Sequence, residues 1–324
     1  MMRDSTPSSL LALANHRRAE FIKHRNADFP SEVRLIESAA CREQGLAPEL
    51  SVIIPTRDAD CRGNFAKLLG DVRRQSAPRY EILIVKGDTR QGRAINTGAA
   101  LARAEVLVTL DDDSRLGHER VFERLLDVMR AHPEIGVAGV ANLIPRDAPW
   151  LVRRVMAEIP RRHSPLVEEI TESDLAEHPC LAIRRSVFFA IGGENELIPR
   201  GLDPYLRREV RNAGYTVVVI PNAWVHHLPP DSVRALVKHF FRNGTQSAYC
   251  QRWFPQWMLE TPARHTADFK ERVAFPRRAA RYAGHLAGAF LTLRWIYLAS
   301  LLVYAAGFLY GWIAAQQGDR PRSR

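Results

Sequence analysis

The chain has 324 residues, of which 46 % are apolar, and a formal net charge of +10. This length allows one large α/β core with further segments at each end. The four cysteines are scattered, which argues against a zinc site or a secreted disulfide framework and predicts reduced thiols. Residues 264–324 hold ten Lys and Arg against three Asp and Glu, so +7 of the +10 lies there and no nucleic-acid partner is expected.

The N-terminal part carries no recognisable motif. Residues 1–48 are polar and partly compatible with a helix, and we expect an accessory segment there. Charges are spread throughout it without an apolar stretch, so no secretory signal is predicted. The main domain, assigned to residues 49–255, should therefore stay in the cytoplasm.

From Leu50 onward the sequence alternates between short β-rich runs and helix-like stretches. The predicted strands are LSVIIP, YEILIV, EVLVTL and IGVAGVA, with helices over residues 64–74 and 93–103 between them. This alternation predicts an α/β fold with a mixed, mostly parallel sheet and crossover helices. Ligands bind such sheets outside the carboxyl ends of the strands, so polar residues after each strand are candidates for the site.

Three adjacent carboxylates follow the strand VLVTL, at Asp111, Asp112 and Asp113. They repel one another unless a cation is present, and hard oxygen ligands suit Mg²⁺ or Mn²⁺, often shared with a diphosphate. A solvated acidic turn is an equally good interpretation of this segment by itself.

The order of motifs around these aspartates resembles the inverting glycosyltransferases of family 2, which have the GT-A fold, a Rossmann-like nucleotide-diphospho-sugar transferase fold. The matching segments are SVIIPTRD, GRAINTG and LDDD, the last resembling the family's DxD motif with Asp111 and Asp113 as metal ligands. The resemblance implies a nucleotide-diphospho-sugar donor, Mg²⁺ or Mn²⁺, and donor contacts from Thr56, Asp58, Asp88, Arg93, Asn96 and Asp112.

Later segments extend the resemblance to the acceptor side. CLAIRRSVFFAIGG and GLDPYLRREVRNAGY resemble the family's acceptor elements and place Asp203 at the acid regarded as the catalytic base. Asp203 before Pro204 is also a favourable helix start, and both roles are compatible. The strand VVVIPNAWVHH ends in two histidines that point to opposite faces, so at most one joins the site; His226 is taken as the metal ligand. Arg242 is placed near the donor phosphates.

The chain departs from the family pattern at three places. Lys86 precedes Asp88 where an acid usually holds the nucleotide base, and Leu202 stands where a Glu usually precedes the catalytic Asp. Gln251-Arg252-Trp253 lacks the spacer of the processive Q-x-x-R-W motif, which favours addition of one sugar at a time. Glu194 and Glu196 are the alternative bases.

The C-terminal region predicts attachment to a membrane. Residues 256–294 form a basic juxtamembrane region, residues 295–315 are free of charge, and residues 316–324 are a basic tail. Twenty-one residues span roughly 30 Å as a helix, the thickness of the bilayer's hydrocarbon core. We expect a single-pass transmembrane helix in the cell inner membrane, the catalytic domain cytoplasmic, and a glycan or lipid-linked acceptor. A buried core helix is the alternative.

Two other functions remain open at this stage. A sugar nucleotidyltransferase shares the fold, although PTRDADCRGN has only one glycine where such enzymes grip phosphate with a glycine-rich loop. A membrane-tethered binding module with a degenerate site is the other, and it is favoured by the departures at Lys86 and Leu202.

Overall fold

A computed structural model describes residues 32–77, 79–259, 262–267 and 274–314. The expectations for residues 1–31 and for the basic tail at 316–324 lie outside these ranges. The four cysteines are unpaired thiols, as the sequence predicted.

A nine-stranded mixed sheet forms the centre of the fold, in the order β1-β3-β2-β4-β8-β6-β9-β5 with β7 paired to β9. Strands β2, β3 and β4 are mutually parallel, and antiparallel β8 separates them from the parallel pair β6 and β9. The strands are β1 Glu32–Glu37, β2 Leu50–Thr56, β3 Tyr80–Lys86, β4 Val106–Thr109, β5 Ser114–Leu116, β6 Ile135–Asn142, β7 Thr171–Glu172, β8 Leu181–Arg184 and β9 Thr216–His227.

Helices cover both faces of this sheet. Alternate residues of β2 point to opposite sides, with Val52 and Ile54 in one apolar cluster and Ile53 in the other. The helices are α1 Ala39–Gln44, α2 Asn64–Arg73, α3 Gln91–Leu101, α4 Val121–Ala131, α5 Trp150–Glu158, α6 Arg185–Ala190, α7 Leu202–Asn212, α8 Val233–Trp253, α9 Phe275–Leu291 and α10 Trp295–Ala314. Helices α2 and α4 pack on the first face, and α3, α6 and α7 pack on the second.

The sheet begins earlier in the chain than the sequence suggested. Strand β1 pairs antiparallel with β3 as an edge strand, from Glu32 opposite Lys86 to Glu37 opposite Glu81. The domain boundary assigned at residue 48 thus falls inside the part of the chain that forms the sheet. The sequence of β1, EVRLIE, mixes charged and apolar residues because one edge of an edge strand is open to solvent. This composition made it look like part of a polar accessory segment.

Helix α10 is long and apolar enough to cross a membrane, with a mean hydropathy of 1.7 over its most apolar stretch. Only 22 % of that stretch is buried inside the structure, whereas a core helix of a soluble protein is mostly buried. It is therefore a candidate membrane span by length, composition and exposure. The preceding juxtamembrane region contains helix α9.

Helix α10 packs against α8 at very short distance through glycines. A Cβ atom at Gly307 would lie 2.1 Å from the Phe241 carbonyl oxygen, and one at Gly244 would lie 2.1 Å from the Tyr304 carbonyl oxygen. The Thr245 hydroxyl also donates a hydrogen bond to the Gly307 carbonyl at 3.1 Å. Small residues at these positions allow the two backbones to touch, which fixes the candidate span to the folded domain.

We predict opposite effects for two matched glycine substitutions in these helices. Gly307→Ala inserts a methyl group into the α8 backbone and should lower the free energy of unfolding by about 1–3 kcal/mol. Gly284→Ala on α9 meets open space and should raise it by up to about 1 kcal/mol through helix propensity. Thermal unfolding of the full chain in detergent measures both. Equal shifts of the two midpoints would contradict the close packing of α8 and α10.

Candidate active site

The three aspartates occupy the loop between β4 and β5, at the carboxyl end of β4. Their side chains are held by polar contacts from neighbouring strand ends and helix starts. The Thr56 hydroxyl at the end of β2 donates to Asp112 at 2.7 Å, and the Gln91 amide at the start of α3 donates to Asp111 at 2.7 Å. The expected convergence of polar residues at the carboxyl ends of parallel strands is therefore present.

Strand β9 brings a histidine to the same loop. Because β5 pairs antiparallel with β9, Ser114 lies opposite His227, and the Leu228 amide donates to the Asp113 carbonyl at 3.0 Å. The His227 Nε2 atom lies 3.2 Å from Asp113 Oδ1. Asp111, Asp113 and His227 each offer one ligand atom, and these atoms lie within 4.8 Å of one another.

The sequence assigned His226 to this cluster, and the geometry brings its neighbour instead. His226 lies opposite Arg115 in the β5–β9 pair, and its Nδ1 contacts the Leu143 carbonyl at 2.7 Å. Neighbouring strand residues face opposite sides, so only one histidine can reach the aspartates. The pairing register decides which one, and a shift by one residue would exchange them.

Electrostatics at the cluster favour a bound cation. Burial and the neighbouring Asp113 raise the pKa of Asp111 to about 7. Burial also acts to raise the pKa of Asp113, but His227 more than offsets it and the pKa is lowered. Two half-buried carboxylates so close together repel each other, and carboxylate and imidazole are ligands for Mg²⁺ or Mn²⁺. The donor set thus fits a divalent metal.

A group of cations lies beside the aspartates. His239 on α8 contacts Arg162 through Nε2 at 3.0 Å and Arg242 through Nδ1 at 3.5 Å. Burial, followed by Arg162, Arg242 and Arg200, lowers the pKa of His239 to about 3, so this imidazole is neutral. Within the described part of the chain none of the three arginines forms an ion pair with a carboxylate. Like charges gathered in this way repel one another, and an anion between them would offset that repulsion.

Four predicted donor contacts are instead engaged within the protein. Arg93 forms two hydrogen bonds to Asp88, both at 2.6 Å, and Asp88 also accepts from the Arg90 amide at the start of α3. Asn96 is buried; its side-chain oxygen accepts from the Glu194 amide at 2.8 Å, and its side-chain nitrogen donates to the Glu194 carbonyl at 2.9 Å. Asp58 accepts from two main-chain amides of its own loop, which lowers its pKa.

The remaining catalytic candidate, Asp203, lies in the first turn of α7 and is bound to a buried histidine. Asp203 Oδ1 accepts from the main-chain amide of His178 at 2.8 Å and lies 2.6 Å from its Nδ1. The other ring nitrogen, Nε2, lies 2.7 Å from Glu194 Oε1. An imidazole can donate to two carboxylates at once only when it is doubly protonated, so His178 is an imidazolium held between two acids.

This arrangement sets the protonation states of the group. Burial disfavours the charged form of His178, but Asp203 and Glu194 outweigh burial and raise its pKa well above the usual value. For Asp203, burial acts to raise the pKa, and the contact with His178 more than offsets it, so the pKa is lowered. Asp203 is therefore an ionised carboxylate at neutral pH. Sequence reasoning missed His178, because a single histidine in EHPC carries no motif.

Buried ion pairs hold the segment that carries His178 against α7. Arg207 is 1 % exposed, and its Nε donates to Asp174 at 2.8 Å while Nη1 donates to the Ala176 carbonyl at 2.6 Å. Arg207 lies one helical turn after Asp203 on the same face of α7. The helix therefore fixes Asp203 and its histidine partner together.

The fold and the site define an α/β protein with an acidic cluster and a cationic group at the carboxyl ends of its strands. Residues 86–191 match the family model described as Glycosyl transferase family 2. The fold is similar to that of the mannosyltransferase PcManGT from Pyrobaculum calidifontis in complex with GDP-Man and Mn²⁺, at 16 % identity and a TM-score of 0.50, over 93 % of this chain and 99 % of that chain.

A second solved structure, S. aureus TarS 1-349, is similar at 10 % identity and a TM-score of 0.43, over 85 % of this chain and 93 % of that chain. No curated protein matches the sequence. The match of residues 86–191 to the family 2 model and the similarity in fold to PcManGT agree with the GT-A fold that the order of the sequence motifs predicted.

We predict that His178 stabilises the fold in a defined pH window. Its raised pKa means that its stabilising effect is complete below the unfolded-state value of about 6.5 and is lost as the pH rises through the folded-state value. The lowered pKa of Asp203 adds stability above about pH 3.9, and this is lost on acidification. His178→Asn should therefore lower the free energy of unfolding by about 3–5 kcal/mol near pH 5.5, and by less at alkaline pH.

Denaturant unfolding of the full chain at several pH values tests this, with His132→Asn as the matched control. His132 also contacts a carboxylate, Glu134, at 3.1 Å, but both side chains are exposed. The control should change stability by less than about 1 kcal/mol at every pH. A cost for His178→Asn that does not vary with pH would refute the buried imidazolium.

Proposed function

We propose that this protein is a metal-dependent inverting glycosyltransferase that moves one sugar at a time from a nucleotide-diphospho-sugar to a hydroxyl acceptor at a membrane. The observation that carries the proposal is the meeting of three groups at one edge of the sheet. They are the Asp111, Asp113 and His227 cluster, the cationic group around His239, and the ionised Asp203. The family 2 domain supports the same conclusion.

The leaving group is a nucleoside diphosphate, and its negative charge must be stabilised as the anomeric bond breaks. Asp111, Asp113 and His227 would hold Mg²⁺ or Mn²⁺, and a metal held there would supply Lewis-acid stabilisation of the diphosphate. Arg162, which donates a hydrogen bond to the neutral His239, and the nearby Arg242 add fixed positive charge that needs no rearrangement during the reaction. The similar PcManGT was solved with GDP-Man and Mn²⁺, which agrees with this choice.

Deprotonation of the acceptor hydroxyl is assigned to Asp203. Asp111 and Asp203 interact electrostatically, so the base lies close to the metal cluster. The His178 imidazolium orients the carboxylate and keeps it ionised, and Glu194 balances the charge of the imidazolium. A base acting on the face opposite to the leaving diphosphate gives inversion in one displacement. Glu194, an alternative base from the sequence, is directed at His178 instead.

A cavity of about 740 Å³ beside Asp113 is large enough for one of the substrates. Asp113 lines it together with Arg115, Trp224 and His226. His226 thus lines the cavity but does not belong to the cluster of Asp111, Asp113 and His227. The membrane location is proposed from α10, with the domain on the cytoplasmic side of the inner membrane.

We predict that Mn²⁺ binding depends on His227 and not on its neighbour His226. His227→Asn should weaken Mn²⁺ binding by more than about 100-fold, a larger loss than that of residues which only orient a ligand. Asp113→Asn should do the same, and His226→Asn should leave the affinity unchanged. Mn²⁺ titration followed by electron paramagnetic resonance measures all three. A loss with His226→Asn that equals the loss with His227→Asn would remove His227 from the metal site.

Asp203→Asn is predicted to abolish transfer while preserving the donor site. The variant keeps the shape of the side chain and its contact with the His178 amide, but it cannot accept a proton. We expect kcat to fall by roughly 10² to 10⁴-fold with the donor KM unchanged. Glu209→Gln, on the same helix, is the control. Near wild-type turnover by Asp203→Asn would show that the base lies elsewhere.

Release of nucleoside diphosphate from a panel of sugar nucleotides tests the proposal as a whole and identifies the donor. A nucleotidyltransferase would release pyrophosphate from a nucleoside triphosphate and a sugar phosphate. An inert module would bind a sugar nucleotide and release nothing. Either outcome would overturn the proposed function.

A further inference from the structure

Helices α9 and α10 form a hairpin that encloses a groove. They are joined through residues 292–294 and pack together around Ala289, Tyr297 and Leu301. The Tyr282 hydroxyl donates to the Leu301 carbonyl, and beyond this contact a groove of about 490 Å³ lies between the helices. It belongs to neither the metal cluster nor the cavity beside Asp113.

The two walls of the groove differ in chemistry. Helix α10 contributes the apolar residues Ala305, Phe308 and Leu309 beside Tyr304. Helix α9 contributes both cations, Arg278 and Arg281, and the remaining lining residues Phe275, Ala279, Tyr282 and His285. Residues 274–314 contain four arginines and no Asp or Glu. The groove therefore presents hydrocarbon-like and cationic surfaces side by side.

The charge of Arg278 is only partly compensated. This side chain is half-buried, and it donates to the neutral side-chain amide of Gln251 on α8. No carboxylate pairs with it within the described ranges, and burial lowers its pKa. A half-buried cation with a neutral partner is costly, and an anion in the groove would offset the cost.

The groove opens on the side of α10 that would face a bilayer. Leu302 and Leu309 of α10 are 56 % and 63 % exposed, and they continue the apolar wall along the candidate span. A hydrocarbon chain could therefore enter from the membrane without crossing water.

Contacts through α8 connect the groove to the proposed base. Gln251, which holds Arg278, follows Cys250, and Cys250 packs in one apolar cluster with Leu202, the neighbour of Asp203. The Cys250 thiol also contacts the Arg200 carbonyl at 3.7 Å. Arg242, at the proposed phosphate site, lies nine residues before Gln251, or roughly 14 Å along the helix.

We propose that this groove binds the acceptor of the reaction, a membrane lipid whose long hydrocarbon chain carries a phosphate or diphosphate head linked to the group that bears the accepting hydroxyl. The inference rests on the proposed function, which it deepens by naming the acceptor class. The chain lies along Ala305, Phe308 and Leu309, and the head group lies on Arg278 and Arg281. A second copy of the protein in a two-fold pairing would bring the same arginines against each other, which argues against that occupant.

Binding of defined amphiphiles to the full-length protein in phosphatidylcholine nanodiscs tests the proposal. The probes are farnesyl diphosphate, farnesol without the phosphate, and inorganic diphosphate without the chain. Tryptophan fluorescence reports binding, because Trp312 stacks on the groove residue Phe308 at 6.0 Å. We expect saturable binding of farnesyl diphosphate and at least tenfold weaker binding of the other two.

Matched variants localise that binding. Ala305→Trp fills the groove, and Ala306→Trp makes the same change at an exposed position outside it. Arg278→Gln removes a groove charge, and Arg277→Gln removes the adjacent exposed charge. Farnesyl diphosphate affinity should fall at least tenfold in Ala305→Trp and Arg278→Gln, and it should stay within twofold of wild type in Ala306→Trp and Arg277→Gln.

Several results would overturn the proposal. They are equal binding of farnesol and farnesyl diphosphate, equal losses within either matched pair, and displacement of the probe by phosphatidylglycerol, which would indicate bulk anionic lipid. A dimer that Ala305→Trp alone dissociates, with probe binding intact, would assign the groove to a second copy. Nucleotide-sugar hydrolysis without acceptor is measured in parallel. If the wild type does not hydrolyse any nucleotide sugar, the proposed function is refuted. If variants that lose lipid binding still hydrolyse the nucleotide sugar, their defect lies in the groove and not at the donor site.

Discussion

The repulsion between Asp111 and Asp113 is the constraint on which the site depends. Burial and proximity raise the pKa of Asp111 to about 7, so the loop after β4 carries an electrostatic cost that a divalent cation would remove. Thr56 and Gln91 bind the same loop and hold its carboxylates in place. A divalent cation bound at this cluster would therefore stabilise the loop.

Opposite charges also hold the group formed by Asp203, His178 and Glu194. Leu202 stands where the family that the sequence resembles has a Glu before the catalytic Asp. In this structure another acid, Glu194, interacts with Asp203 indirectly. Glu194 reaches it through the His178 imidazolium, with contacts of 2.7 and 2.6 Å. Because Asn96 on α3 binds the main chain of Glu194, helices α3 and α7 are joined through Glu194, His178 and Asp203 by one series of hydrogen bonds.

Helix α8 connects the proposed phosphate site to the candidate membrane span. Its middle carries His239 and Arg242 at the proposed phosphate site, and its Gly244 packs against the backbone of α10. Its C-terminal end contacts both the Leu202 cluster and Arg278. A helix packed this closely on a candidate span cannot move independently of it, so the orientation of α10 in a bilayer would also set the orientation of the active site.

The sequence by itself determined the class of fold and the acidic end of β4. Alternating strands and helices, the DxD-like aspartates and the charge-free C-terminal run are local patterns, and each depends on periodicity or composition that neighbouring residues share. The structure confirmed the α/β fold and one candidate span, and residues 86–191 match the family 2 model.

Tertiary structure decided which side chains meet. The β5–β9 register selected His227 over His226, and an edge pairing with β3 turned residues 32–37 into a strand. Asp88 and Arg93 bind each other, and His178 joins Asp203 although the two are 25 residues apart. These outcomes depend on strand register and on packing between segments that are distant in the sequence. Neither produces a periodic pattern in the sequence. A pattern of residue types determines which face of an element is buried, but it does not determine which residue lies opposite.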